Sequence, residues 1–335
     1  MKIDMFTHII PPKYKEALFQ DTHRGFYSNR WDQVINGTPA LFDLDNRLRI
    51  IDNYEGLQQV LTIASPAVEE VADPGKAVFL AKLANDEMAE LMAKHPDKFA
   101  AAVACLPMND IEAALKETDR AITELNFKGV QLFTPVTGKP LDSPEFMPLY
   151  EKMAEYDLPV WIHPTRRRDI ADYPVEDHSK YYTYQMFGWP YETTVAMVRL
   201  VFSGVMDKYP GIKFITHHCG AMIPYFSERI VIGQDYAEVN LKAKWKQALS
   251  KPPIDYFRMF YGDTALNGST AGLMCGYAFL GAEHIVFATD FPYDNENGDR
   301  FTREVIRSVE LMEIPDRHKE MIFENNARKL LHLDG

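Results

Sequence analysis

Four short apolar runs in this chain each end on a residue type that binds metals or moves protons. They are Ile3-Asp4-Met5-Phe6-Thr7-His8, Leu158-Pro159-Val160-Trp161-Ile162-His163, Ile212-Lys213-Phe214-Ile215-Thr216-His217-His218 and His284-Ile285-Val286-Phe287-Ala288-Thr289-Asp290. Apolar runs this short, bounded by polar and turn residues, read as buried strands. The same reading predicts eight strands, at 2–8, 58–64, 99–105, 129–133, 159–162, 213–216, 257–261 and 285–288. Helical spacing fills the intervals, at 47–54, 74–95, 110–126, 143–156, 192–208, 225–238, 270–279, 299–312 and 316–331. Eight strands alternating with helices predict an α/β protein, a (β/α)8 TIM-type barrel. A doubly wound sheet shares the alternation; the count of eight and the length of 335 residues favour the barrel.

Residues 12–46 break the rhythm. They carry Pro12, Gly25, Asn36-Gly37 and Pro39 without a clean period. They read as a small inserted excursion after strand one, a flap within a single barrel domain spanning 1–335. In a barrel the C-terminal ends of the strands line the active-site mouth. His8, His163, His218 and Asp290 fall at the ends of strands one, five, six and eight. Alternation turns His217 away from His218, so His217 is assigned a role in support of the site or a structural one. His95, His318 and His332 lie in helix ends or links and read as surface residues.

Composition narrows the partners. A net charge of -12 argues against a nucleic-acid surface, which needs clustered Lys and Arg. No run of about 20 apolar residues suggests a membrane span. Cys105, Cys219 and Cys275 are odd in number and scattered, which fits a reducing compartment. With no leader pattern at the start of the sequence, a cytoplasmic location is expected.

Imidazole and carboxylate are the ligands of zinc, manganese and iron sites. His8, His163 and Asp290 make a two-His-one-carboxylate set with positions open for a water or a substrate oxygen. His218 suits a fourth ligand or a general base, since histidine titrates near neutrality.

Further motifs accompany these ends: Gly188-Trp189-Pro190-Tyr191-Glu192-Thr193-Thr194, His218-Cys219-Gly220-Ala221-Met222-Ile223-Pro224-Tyr225 with Arg229, Tyr261-Gly262-Asp263-Thr264-Ala265, and Phe287-Ala288-Thr289-Asp290-Phe291-Pro292-Tyr293. Together and in this order they resemble the amidohydrolase-related family that includes aminocarboxymuconate-semialdehyde, γ-resorcylate and 5-carboxyvanillate decarboxylases. The resemblance implies the barrel, metal ligands His8, His163 and Asp290, and a catalytic His218 beside the metal. That family opens with His-x-His or Glu-x-His, where this chain has Phe6-x-His8, so one ligand position holds a group that cannot bind metal. One divalent ion is expected, zinc first and manganese second, with a metal-free site as the alternative that Phe6 raises. The resemblance also implies that Arg47 grips a substrate carboxylate and that Arg229 reaches a neighbouring subunit of a homodimer or higher homo-oligomer. A guanidinium suits both tasks, being permanently charged and bidentate. Phe6 and Trp189 are candidate substrate-binding residues, with Tyr181, Tyr182, Tyr184 and Phe187 as further aromatic wall. Arg166-Arg167-Arg168 adds positive charge after His163.

The reading is a non-oxidative decarboxylase acting on a small aromatic or unsaturated carboxylic acid, with His218 and Asp290 as catalytic residues. Hydrolysis of a lactone or amide is the alternative reaction. A non-catalytic barrel that binds a small acid is the third reading; the full His/Asp set speaks against it.

Overall fold

The computed structural model describes residues 1–20 and 28–333. Nine strands are present among them: β1 (Lys2–Ile9), β2 (Leu57–Ile63), β3 (Phe99–Ala102), β4 (Ala104–Cys105), β5 (Val130–Thr134), β6 (Val160–Pro164), β7 (Phe214–Thr216), β8 (Tyr261–Asp263) and β9 (Ile285–Val286). They form two sheets, β1-β2-β3 and β4 through β9 in sequence order. Every pairing is parallel.

Val103 alone separates β3 from β4, and its N–H donates to the Leu61 carbonyl at 2.9 Å. The two segments therefore occupy the place of the single strand expected over 99–105. At the other seam, Met5 N donates to Phe287 O and His8 N to Phe291 O, both at 2.8 Å. The eight strand places of the barrel reading are filled, and backbone hydrogen bonds cross both seams between the sheets.

The sheets enclose a packed interior of Ile3, Met5, Phe6, Val60, Ala101, Val103, Trp161, Ile215, Val286 and Ala288, all buried. Trp161 is its largest member and donates its indole N–H to the Met5 carbonyl at 2.8 Å. Room for that ring depends on Gly129, at φ +152°: a Cβ there would lie 2.5 Å from the Trp161 ring and 2.4 Å from the Pro159 carbonyl oxygen. Outside the strands a larger apolar layer joins them to the helices. No helix of the described residues is long and apolar enough to cross a membrane.

Three expectations need correction or refinement. The seventh strand is Tyr261–Asp263, not 257–261, because Phe257 ends a short helix, Pro253–Phe257. Proline pre-sets the first helical turn, and Phe257 and Phe260 are apolar because they are buried beneath the strand. The helix expected over 192–208 begins at Gly188 and breaks after Phe202, resuming as Val205–Lys208 beyond Gly204 at φ +80°. The 12–46 segment holds helices Pro12–Phe19 and Ser28–Gly37 and a short turn of helix Pro39–Leu41; its residues 21–27 lie outside the described residues.

Candidate metal centre and active site

Strand periodicity builds the centre. Successive side chains of a strand alternate faces, so a residue two beyond an inward-pointing one also points inward. Phe6, Trp161, Ile215 and Ala288 fill the interior. Two residues on from each lie His8, His163, His217 and Asp290, at one end of the barrel. His8 Nε2 is 3.1 Å from Asp290 Oδ1, and His217 Nε2 is 3.2 Å from the same oxygen. Ring centroids of His8 and His163 are 5.0 Å apart, and those of His163 and His217 are 5.4 Å apart.

His217 is thus the centre's histidine from β7, not a structural bystander. It belongs to both groups of side chains whose ligand atoms converge within 4.8 Å: His8, His163 and His217, and His217, His218 and Asp290. The expectation failed because it chose the face from His218, whose backbone has already left the strand. His218, Cys219, Gly220 and Ala221 all have positive φ, between 52° and 75°. His218 remains beside the centre, half-buried, with its ring 4.2 Å from that of His217.

Partners behind these side chains fix their orientation. His217 Nδ1 bonds the Asp263 carboxylate, with both side chains fully buried. The other Asp263 oxygen accepts the Cys219 and Ala265 N–H groups at 3.2 and 3.1 Å. Thr62 Oγ1 meets His8 Nδ1 at 3.3 Å. Asp290 itself is at φ +64°, a left-handed conformation that a non-glycine residue holds only where its surroundings impose it. Here Asp4 accepts the Thr289 N–H at 2.9 Å, and Thr289 Oγ1 accepts the Phe291 N–H at 3.2 Å.

Charge follows this geometry. Burial lowers the His217 pKa, but the charges of Asp263 and Asp290 outweigh it and raise His217 to about 10. Burial raises the Asp290 carboxyl, and His217 and His8 overcome that and hold it well below the usual carboxylate range. Burial, with His217 nearby, pushes His218 down to about 4 and His163 well below its ordinary value. Burial lifts Asp4 to about 7 against its bonds from Thr289.

Among the described residues, His163 Nδ1, His217 Nε2 and His218 Nδ1 are buried without a hydrogen bond. Buried polar atoms ordinarily find partners. Imidazoles converging on an ionised carboxylate fit a divalent cation, which would take the place of the His217 proton. The Phe6 ring sits under the cluster, its centroid 4.4 Å from that of His217 and 5.4 Å from that of His8.

A cavity of about 630 Å³ opens above the centre, and Asp290, Trp189 and Tyr293 line it. The Trp189 ring stands 5.5 Å from that of His163. Arg166 and Arg167 also reach it, and Gln33, Val34, Gly37 and Thr38 bring the helix Ser28–Gly37 to its wall. Two candidate residues lie elsewhere. Arg47 is 1% exposed behind β1, where it donates to His8 O at 2.7 Å and Gln59 Oε1 at 2.8 Å. It holds the backbone of His8 and does not line the cavity. Arg229 is exposed on the helix Ser227–Leu241. Phe6 is fully buried and forms the floor of the histidine cluster rather than a cavity wall.

The family model described as amidohydrolase matches residues 3–333. The chain belongs to this family. A γ-resorcylate decarboxylase from a Polaromonas species is 34% identical over 262 residues, covering 75% of this chain and 77% of the relative. A 2-amino-3-carboxymuconate-6-semialdehyde decarboxylase from Dictyostelium discoideum is 27% identical over 100% of this amidohydrolase chain and 92% of its own. A dihydroxybenzoic acid decarboxylase from Polaromonas, crystallised with manganese and the inhibitor 2-nitroresorcinol, superposes with a TM-score of 0.78 at 28% identity, over 100% of this chain and 97% of that one.

Proposed function

We propose that this amidohydrolase is a carboxy-lyase that releases carbon dioxide from an aromatic or unsaturated carboxylic acid with an oxygen beside the carboxylate. The observation that carries the reading is the convergence of His8, His163, His217 and Asp290, with Asp290 opening into a cavity walled by Trp189. His8, His163 and Asp290, joined by His217, would hold one divalent cation, manganese as in the Polaromonas structure or zinc. When bound, that cation supplies Lewis acidity to the oxygen beside the carboxylate.

The chain's own residues do the rest. Trp189 and Tyr293 hold the ring flat against the centre, and Arg166 and Arg167 add positive potential for an acid. Asp290 lines the cavity and delivers a proton to the carbon that bears the carboxylate. A proton taken up from solvent through the cavity replaces the one that Asp290 gives up. His218 is the alternative donor. The carbon–carbon bond to the carboxylate then breaks, its electron pair restores the ring, and carbon dioxide leaves. The segment 12–46 acts as a flap, with its helix Ser28–Gly37 at the mouth. A second copy of the chain covers the exposed face of Tyr225, Ile232, Tyr236, Val239 and Leu241, on which Arg229 lies.

The test is product analysis with 2,6-dihydroxybenzoate and related 2-hydroxybenzoates. Carbon dioxide and the matching phenol are expected, with the rate lowered about 10²–10⁴-fold in Asp290→Asn. Lactone or amide cleavage without carbon loss would overturn the reading in favour of a hydrolase.

A further inference from the structure

The cavity has a polar end that the decarboxylation chemistry leaves unused. It is built from the segment that follows β2. Ser65 and Glu70 both line the cavity. Ser65 is 3% exposed, and its hydroxyl has no hydrogen-bond partner among the described residues. Glu70 is partly buried, and among the described residues the Thr137 N–H and the Arg167 charge are what act on its carboxylate.

Among the described residues, the other charged groups of the cavity are engaged. The Asp294 carboxylate accepts the N–H groups of Glu296, Gly298 and Phe301 at 2.6, 2.9 and 2.6 Å. Arg166 bonds Glu192 at 2.7 Å, Arg167 pairs with Asp169, and Asp290 belongs to the histidine cluster. A carboxylate and a hydroxyl that face the same cavity with acceptor capacity to spare are matched by a donor on the ligand. Their place is also informative. β2 pairs with β1, whose other neighbour is the chain after β9 that carries Asp290. Adjacent strands lie about 4.8 Å apart, so Ser65, two residues beyond β2, stands roughly 10 Å around the mouth from Asp290, and Glu70 follows it in the helix Val68–Val71. That is about the span of a substituted benzene ring with its polar groups.

We infer that Ser65 and Glu70 form a second pole of the cavity that binds a hydrogen-bond donor, a hydroxyl or amino group, carried by the substrate ring away from its carboxylate. The orientation of the ring rests on the decarboxylase reading; the pole itself does not. The substrate class narrows to a phenolic acid with a second donor across the ring. Glu70 supplies the charge-assisted bond and Ser65 fixes its direction.

Decarboxylated rings test this without turnover. Binding to the metal-loaded protein is measured by calorimetry for resorcinol against 3-methoxyphenol, hydroquinone against 4-methoxyphenol, and 3-aminophenol. One charge-assisted bond predicts that at least one hydroxyl compound binds about tenfold or more tightly than its methoxy partner. That ratio is expected to fall to within about twofold in Glu70→Leu and to shrink in Ser65→Ala. Glu70→Gln, equal in size, serves if Glu70→Leu fails to fold, with a ratio reduced at least about threefold. Stronger binding of 3-aminophenol than of resorcinol would assign the pole to an amine, and the reverse to a hydroxyl. A ratio near one for every pair in the wild type, or a ratio unchanged in the Glu70 variants, overturns the inference. Intact ratios in a protein that releases no carbon dioxide from any acid would sink the decarboxylase reading and leave the pole standing.

Discussion

His217 and Asp263 are hydrogen-bonded to each other with neither side chain exposed to solvent. The bond leaves Nε2 of His217 directed at Asp290. A carboxylate behind an imidazole fixes its tautomer and ring orientation, and loss of such a partner typically costs 10–100-fold in metal affinity or activity. Asp263→Asn keeps the shape but presents an amide where the imidazole needs a charged acceptor. Metal affinity, measured by competition with a chelator, is expected to fall about 10–100-fold in this variant, with the far-ultraviolet circular dichroism unchanged.

The two adjacent histidines should separate cleanly. His217→Asn removes a group common to both ligand clusters, whereas His218→Asn removes a half-buried neighbour. Elemental analysis of protein purified without chelator should show less bound metal in His217→Asn and in His163→Ala. His218→Asn should keep its metal and lose rate. Equal metal retention in His217→Asn and the wild type would return His217 to a structural role.

The sequence made these positions legible to different degrees. The ends of β1, β6 and β9 were readable because apolar runs stop on His8, His163 and Asp290, and period-two alternation carries them inward. The same rule, applied from Ile215 in place of His218, would have found His217. What concealed it was the positive-φ turn from His218 to Ala221, which no propensity marks in non-glycine residues. The seventh strand was misplaced because Phe257 and Phe260 are apolar for packing, not for a ladder. Arg47 misled for a further reason: a sequence does not reveal whether a guanidinium faces a ligand or a carbonyl, and here it faces that of His8.

That placement makes Arg47 a stability residue. Its guanidinium is fully buried, held by Gln59 and His8 and stacked over Phe291 at 4.8 Å; burial lowers its pKa to about 9. Removing it strands the Gln59 and His8 acceptors. Arg47→Ala is expected to lose about 3 kcal/mol of stability in denaturant titration, by the cost of disrupting a buried charged network. KM for an acid substrate should change little in whatever fraction remains folded. A large rise in KM with unchanged stability would restore the carboxylate-gripping role.

The metal-free protein should also lose stability as pH rises above neutrality. In the folded chain Asp263 and Asp290 lift His217 to about 10 against the opposing effect of burial, while an unfolded histidine titrates near about 6.5. Between those values the folded state holds a proton that the unfolded state has released, so each step upward in pH favours unfolding. The stabilisation is complete below about pH 6.5 and gone above about pH 10. Thermal unfolding of chelator-treated protein across that range should show Tm falling, and falling more steeply than in His217→Gln, which has no proton to lose. Parallel curves for the two proteins would mean that His217 is neutral when folded. Saturation with manganese or zinc should flatten the slope, since a ligated imidazole binds the metal in its neutral form.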